Sequence, residues 1–407
     1  MKPAGDDMKR KLFAAAVMAG TGVSAAPADP VFKPIVDMRL RYENVEQRGF
    51  ARDADAVTAR VRAGADIRIL PATRLLIEGE GTLALVERYN STTNGKTLFP
   101  VVADPETIEL NRLQIQNKSI PGTTLTGGRQ RIALDDQRFV GAVGFRDNEQ
   151  TFDAARIETA PIKNLKIDFT YAWSNRTIFG VDSPIERIHG DNVFANVAYA
   201  TKLGTLSGFG YWIDQDARTR RQFSSQTYGV RFAGKYALSK TAALTYALSY
   251  ARQRDAYDNP VRYGADYGLA EIGVTTGGLG LGAGYEVLGA DDGRAGSSFQ
   301  TPLATLHKFQ GWADKFLVTP ANGIRDAYAS AGYTLTKVGP FASIGILAVY
   351  HDYRSDRAGL HYGDEVDVQL LARFGKRTTA ILKLADYNAK SFATDTRKLW
   401  ATVEYVF

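Results

Sequence analysis

The 407-residue chain contains no cysteine, which excludes disulfide staples, a thiolate nucleophile and cysteine-held metal centres. A chain without thiols suits an oxidising compartment, where stray thiols mispair. Histidine is nearly as scarce: His189, His307, His351 and His361 are all there is, and no pair has the spacing of a helical zinc motif. No apolar run approaches the ~20 residues that a membrane-crossing helix needs, and the mean hydropathy is -0.22. A helical membrane protein is therefore excluded. Absent too are helical-period stretches of roughly 10 to 15 residues between the apolar segments, and the sequence holds no Gly-Xaa-Ser-Xaa-Gly elbow.

What is present is alternation. In Val36-Asp37-Met38-Arg39-Leu40-Arg41-Tyr42-Glu43 every apolar residue is even-numbered and every charged one odd. Val57, Ala59, Val61, Ala63, Ala65, Ile67 and Ile69 then alternate with Thr58, Arg60, Arg62, Gly64, Asp66 and Arg68. A strand with one apolar face and one densely charged face makes a poor half of a soluble core, but it fits a barrel wall with lipid outside and water inside. The same period predicts strands over 73–87, 108–117, 123–132, 150–159, 164–176, 191–201, 204–215, 225–238, 241–253, 263–275, 278–289, 326–336, 341–353, 364–374, 378–388 and 396–407, about eighteen in all. At ~9 to 11 residues per crossing, the chain length accommodates them. Short connections such as Leu70-Pro71-Ala72 and Gly375-Lys376-Arg377 interleave with long ones over 88–105, 130–150, 179–190 and 290–325. The fold class expected is an all-β, antiparallel up-and-down transmembrane barrel, with short turns in the periplasm and long loops outside.

Residues 1–25 read as a signal peptide: Met8-Lys9-Arg10-Lys11 is basic, 12–22 is apolar, and Val23-Ser24-Ala25 is a small-residue cleavage site. Met8 is the better start, because Asp6 and Asp7 put acid where the segment should be basic. The barrel then occupies 26–407 as a single domain, with export to the outer membrane of a Gram-negative cell. Leu399, Ala401, Val403, Tyr405 and Phe407 share one face of the last predicted strand. This resembles the C-terminal signature of bacterial outer-membrane barrels and implies recognition by the barrel-assembly machinery.

The charges point inward. Arg39, Arg41, Arg60, Arg62 and Arg68 share their strands and the next with Glu43, Asp66, Glu78 and Glu80. Planar guanidinium forks seat carboxylates, and neighbouring acids keep such seats weak enough to release them. The alternative is a set of wall charges paired for stability. A denser basic run follows in Gly128-Arg129-Gln130-Arg131, continuing through Arg138 to Arg146-Asp147-Asn148-Glu149-Gln150, with Arg129 and Arg131 alternating inward. Gly280, Gly282 and Gly284 form an inward file that leaves room for lumen volume or for an infolded loop. Two other classes compete with a solute pore. A barrel hydrolase would place a histidine beside an acid, as at His351 with Asp352 or His361 with Asp364, but it lacks a nucleophile. A structural or adhesive barrel would plug its lumen with bulky side chains, against the many small inward residues. Asp364, Glu365 and Asp367, like Asp291 and Asp292, lack the spacing of a calcium loop and read as solvated charges. His189 and His307 fall in predicted loops.

The stretches Arg39-Leu40-Arg41-Tyr42-Glu43, Tyr89-Asn90-Ser91-Thr92-Thr93-Asn94-Gly95-Lys96, Pro100-Val101-Val102-Ala103-Asp104-Pro105-Glu106, Gly128-Arg129-Gln130-Arg131, Asn148-Glu149-Gln150-Thr151-Phe152-Asp153-Ala154 and Phe299-Gln300-Thr301-Pro302-Leu303-Ala304-Thr305-Leu306-His307-Lys308-Phe309-Gln310-Gly311-Trp312-Ala313-Asp314-Lys315-Phe316 resemble the alginate-export family of outer-membrane porins. The resemblance implies an eighteen-stranded barrel with an arginine-lined constriction for an anionic polyuronate, and Arg129 of the Gly-Arg-Gln motif as its first residue. Taken together, the residues expected to line the path are Arg39, Arg41, Arg60, Arg62, Glu78, Glu80, Arg129, Gln130, Arg131, Arg138 and Arg146. No catalytic residue, metal, cofactor or nucleic acid is expected. The partners are an anionic polysaccharide or small organic anions such as aromatic or sugar acids, outer-membrane lipid and lipopolysaccharide, and the barrel is expected to be a monomer.

Overall fold

A computed structural model describes residues 30–407; the expected signal peptide lies outside the described residues. Eighteen strands run β1 (Phe32–Gln47), β2 (Ala54–Leu70), β3 (Thr73–Arg88), β4 (Thr107–Asn117), β5 (Thr123–Gln130), β6 (Thr151–Thr159), β7 (Leu165–Arg176), β8 (Arg187–Ala200) and β9 (Thr205–Ile213). They continue as β10 (Ser225–Ala237), β11 (Ala242–Asp255), β12 (Gly264–Thr276), β13 (Leu279–Leu288), β14 (Ile324–Val338), β15 (Phe341–Arg354), β16 (His361–Phe374), β17 (Thr378–Ala389) and β18 (Thr396–Val406). Each pairs antiparallel with its neighbours in sequence, and β1 pairs with β18 from Asp37 opposite Val406 to Gln47 opposite Thr396. The sheet is thereby closed, and no backbone edge is left to meet lipid.

The alternation read from the sequence sets the two faces. Leu40, Val61, Leu83, Leu281, Leu382 and Val403 are each about half exposed on the outer wall, while Arg39, Arg41, Arg60 and Arg62 are buried on the inner one. Two aromatic belts bound the apolar band, with Tyr171, Tyr228, Tyr250 and Tyr285 near the extracellular ends and Tyr199, Tyr236, Tyr333 and Phe374 near the periplasmic ends. His189 lies within β8, not in a loop.

The small inward residues accommodate loops. Residues 131–150 and 289–323 fold into the lumen and meet there: Val140 bridges Leu303, and the Gly141 amide donates to the Leu303 carbonyl at 2.9 Å. Their contact holds an apolar core inside the barrel. Phe139 packs against Phe209 at 5.0 Å, Tyr267 at 5.2 Å and Phe299 at 5.9 Å between ring centroids. The wall supplies bulk as well as the loops: Phe152, Phe194, Phe209, Tyr211, Tyr267, Tyr353, Tyr387 and Trp400 point inward from their strands and pack against the loop aromatics, so the expectation of a mostly small inner wall does not hold along these strands. At Gly284 the free space is taken by Tyr328 of the adjacent strand, whose ring lies where a side chain would stand and whose hydroxyl donates to Glu271 at 2.6 Å.

Candidate functional site

β1, β2 and β18 bring Arg39, Arg60, Arg62, Asp37 and Glu404 to one stretch of inner wall, because register pairs Arg39 with both Arg60 and Glu404. The infolded 131–150 segment covers this stretch. Between wall and segment lies a cavity of about 430 Å³, lined by Asp37, Arg39, Arg60, Arg62, Arg131 and Glu149, with Gln137, Phe145, Thr305 and Glu404 among its other walls. Asp37 and Val406 place it in the periplasmic half of the barrel.

Most of the arginines are already engaged. Arg39 donates to Glu404 at 2.7 Å and to the carbonyls of Gly144, Phe145 and Arg146 at 2.9, 2.8 and 2.9 Å, so it clamps the segment to the wall. Arg62 pairs with Glu80 and donates to the Asp147 carbonyl at 3.0 Å. Arg131 forks onto Glu149 at 2.8 and 2.6 Å, and the same carboxylate lies 3.4 Å from Arg62. Arg60 differs. One of its terminal nitrogens pairs with Asp37, but Nε and Nη1 are buried without a hydrogen-bond partner. A buried guanidinium left with bare donors favours any anion that reaches it.

Charge in the loops is set by these contacts. Burial alone would raise the Asp147 carboxyl, yet Arg41 and Arg39 outweigh it and hold it below the ordinary aspartate range. Burial and the neighbouring Asp147 charge push its partner Asp104 up. For Glu149 burial is outweighed by Arg62 and Arg131, and its carboxyl is held down.

The expected residues part company here. Arg39, Arg60, Arg62 and Arg131 line the cavity, whereas Arg41 lies outside its lining, over the Phe145 ring at 4.4 Å, with Nη1 3.7 Å from Asp104 and without a hydrogen-bond partner. Glu80 holds Arg62 from behind, and Glu78 forks with Arg112 at 2.7 and 2.6 Å. Arg129 is not on the inner face. It pairs in register with Leu113, on the file that carries exposed Ile115 and Ile157, and it bonds Asp153 at 2.8 Å. The inward set of β5 is Thr126, Gly128 and Gln130, and the strand ends there, so Arg131 leaves it and turns to Glu149. Gln130 donates to the Ala154 carbonyl at 3.0 Å, a wall contact. Arg138 and Arg146 are joints between loops. Arg138 bonds Glu286 at 2.6 Å, Thr301 at 3.1 Å and Gln310 at 3.1 Å. Arg146 ties Glu43 at 3.1 Å, Asp104 at 3.3 Å and Asp314 at 3.1 Å. Burial opposes the Arg146 charge, but those three acids outweigh it and hold the proton more firmly than in free arginine.

Glu365 and Asp367 are not solvated charges either. Both are buried on the inner wall, accepting from the Ala313 amide at 2.7 Å and the Trp312 amide at 3.2 Å, and so hold the 289–323 loop. His307 is a further tie, with Asp314 at 2.8 Å on Nδ1, Lys383 at 2.8 Å on Nε2 and the Phe145 ring stacked 3.5 Å away. Burial, then the Lys383 charge, press His307 well below the ordinary histidine range. Sequence reading missed Asp37, Phe145 and Glu149 as lining. Asp37 shares its parity with Arg39 and was within reach; the other two become visible only when the loop folds in.

A family model described as alginate export matches residues 35–285, more than half of the chain. No curated protein matches the sequence. Among solved structures, Pseudomonas aeruginosa OpdL is 15% identical, with a TM-score of 0.68 over 92% of this chain and 98% of its own. Pseudomonas aeruginosa OpdK, solved with vanillate, is 14% identical with a TM-score of 0.68 over 92% and 98%. Acinetobacter baumannii OccAB3 is 10% identical with a TM-score of 0.69 over 92% and 99%. At such identities the likeness is one of fold.

Proposed function

The chain belongs to the alginate export family, and from there we propose that it is an outer-membrane porin passing carboxylate solutes, uronate oligomers or monomers first, by way of the arginine cavity. Arg60 carries the reading: it keeps two buried donors without hydrogen-bond partners and lines a cavity in which four arginines meet three acids, Asp37, Glu149 and Glu404. A carboxylate settling there gains charge-assisted hydrogen bonds, and the acids keep its stay short. The volume of about 430 Å³ is that of a small-ligand site and favours a monomer or short oligomer over a long polymer in this arrangement of the loops. No covalent step is required, and the gradient sets the direction.

A second reading, small aromatic or sugar acids, is supported by the Phe145 ring in the lining and by the fold shared with OpdK, which was solved with vanillate. The outer wall, with its apolar band between aromatic belts, supports residence among outer-membrane lipid and lipopolysaccharide as a monomer, reached through the signal peptide over residues 1–25. The test is the reversal potential of the refolded protein in a planar bilayer under a salt gradient, with and without oligouronate. Anion preference with current block by the oligomer, both reduced in Arg60→Gln, is the expected result. Block by a sugar acid or vanillate but not by oligouronate moves the reading to the second solute class, and indifference of both measurements to Arg60→Gln removes the cavity from the path.

A further inference from the structure

The two ends of the barrel differ in charge. The periplasmic turns, at 71–72, 118–122, 160–164, 201–204, 238–241, 277–278, 339–340 and 375–377, carry Lys118, Lys163, Lys202, Lys240, Lys376 and Arg377 and not one acid. The extracellular connections carry both signs, with acids slightly in excess. All six periplasmic cations are exposed, and none makes an ion pair among the described residues.

Their placement is regular. Four consecutive turns, from β4–β5 round to β10–β11, hold one lysine each. Turns on the same end are two strand spacings apart, about 10 Å, which is close to the Debye length of ~10 Å at 0.1 M salt. Their fields therefore merge into one basic arc. The arc continues inward: Lys166, Lys235 and Arg373 alternate with outward Leu165, Tyr236 and Phe374, so they face the lumen just inside the mouth, exposed and without an ion pair among the described residues. Acids near that end are engaged, Asp168 by Arg156, Asp66 by Arg74 at 2.7 Å and Glu404 by Arg39.

We propose that this arc is a docking track on which an oligomeric carboxylate chain is captured at the periplasmic mouth before it reaches the arginine cavity. It rests on the porin reading above and adds to it a partner and a place. A chain with a carboxylate on every sugar spans several lysines at once, whereas a monomer meets one. Inward continuation of the arc sets this partner apart from phospholipid headgroups, which meet only the outer rim. Electrostatic capture raises the rate of encounter and leaves the net direction to the gradient.

The experiment is single-channel block by an oligouronate and by glucuronate in a phosphatidylcholine bilayer, added from either side. It compares wild type with a variant carrying Lys118→Gln, Lys163→Gln, Lys202→Gln, Lys240→Gln and Lys376→Gln, exposed turn positions whose change spares the walls. Oligomer block should begin about tenfold or more faster from the periplasmic side at low salt. That advantage should vanish at high salt and in the variant, with block duration unchanged and glucuronate little affected. Equal onset rates from the two sides, or a variant that keeps the asymmetry, overturn the proposal. So does an effect of the variant seen only when phosphatidylglycerol is present, which makes the lysines headgroup seats. Arg60→Gln separates the two readings: it should shorten block without altering onset asymmetry, so a block duration that Arg60→Gln leaves unchanged defeats the cavity alone, and an oligomer that blocks wild type from neither side overturns the arc together with the cavity.

Discussion

Arg129 and Arg131 stand two positions apart in sequence and do unrelated work. Arg129 shares the outer file with Leu113 and is held by Asp153, while Arg131 leaves the end of β5 and forks onto Glu149 at the cavity. Arg129→Gln should therefore leave the reversal potential unchanged and lower stability in denaturant by about 1.5 to 3 kcal/mol, the size of a lost charged hydrogen bond. Arg131→Gln should also lower stability, since it removes two charged hydrogen bonds from the buried Glu149, but unlike Arg129→Gln it should move the reversal potential toward cations, because it takes a cation from the cavity lining. Parity alone could not separate the two, because β5 is polar on both faces and its end at Gln130 has no apolar marker. At Gly128 the backbone takes φ 112, a conformation that only glycine enters freely, so the strand twists just before Arg129. On β1 and β2, where Leu40, Val61 and their neighbours mark the outer file, the inward arginines were legible from alternation alone.

The two infolded loops were visible only as lengths. Their burial has no periodic signal, although Phe139, Phe145, Phe299 and Phe316 are aromatic residues in stretches that solvent-exposed loops would fill with polar ones. What the loops grip is ionic. Arg146 joins three acids from three different segments, and Arg146→Met would leave Glu43, Asp104 and Asp314 buried around a missing cation. A broken buried network costs about 3 to 5 kcal/mol, and the expected outcome is a noisier, larger conductance with the strand content of the barrel intact by circular dichroism. Acid should loosen the same region. His307 sits below its unfolded value, so its contribution is complete above pH ~6.5 and declines as pH falls beneath that. Asp314 and Glu149, held low, lose theirs further down, and Asp104, held high, opposes the trend. His307→Gln should flatten the pH dependence of thermal unfolding between about pH 6.5 and 5 while leaving the steeper acid limb.

For the whole molecule, the strand count, the order of short and long connections and the two faces of most strands were legible, because lipid outside and water inside impose a strict period of two; β5, polar on both faces, was the exception. The cavity was legible in half: its wall came from alternation, and its lid came from a loop whose path only packing decides. The closed sheet also dictates a history. Arg39 and Glu404 are neighbours across the β1–β18 junction yet lie 365 positions apart in the chain. Contacts of such separation form late and slowly, since loop closure must be met before they return anything. The junction can form only once β18 is in place, and until then Arg39 lacks its carboxylate partner across the seam, Glu404. In refolding followed by pulsed hydrogen exchange, amides of β10 to β12 should gain protection first and those of β1 and β18 last. Until that protection appears the arginine cavity has no finished wall, so anion binding should arrive as the slowest phase of folding.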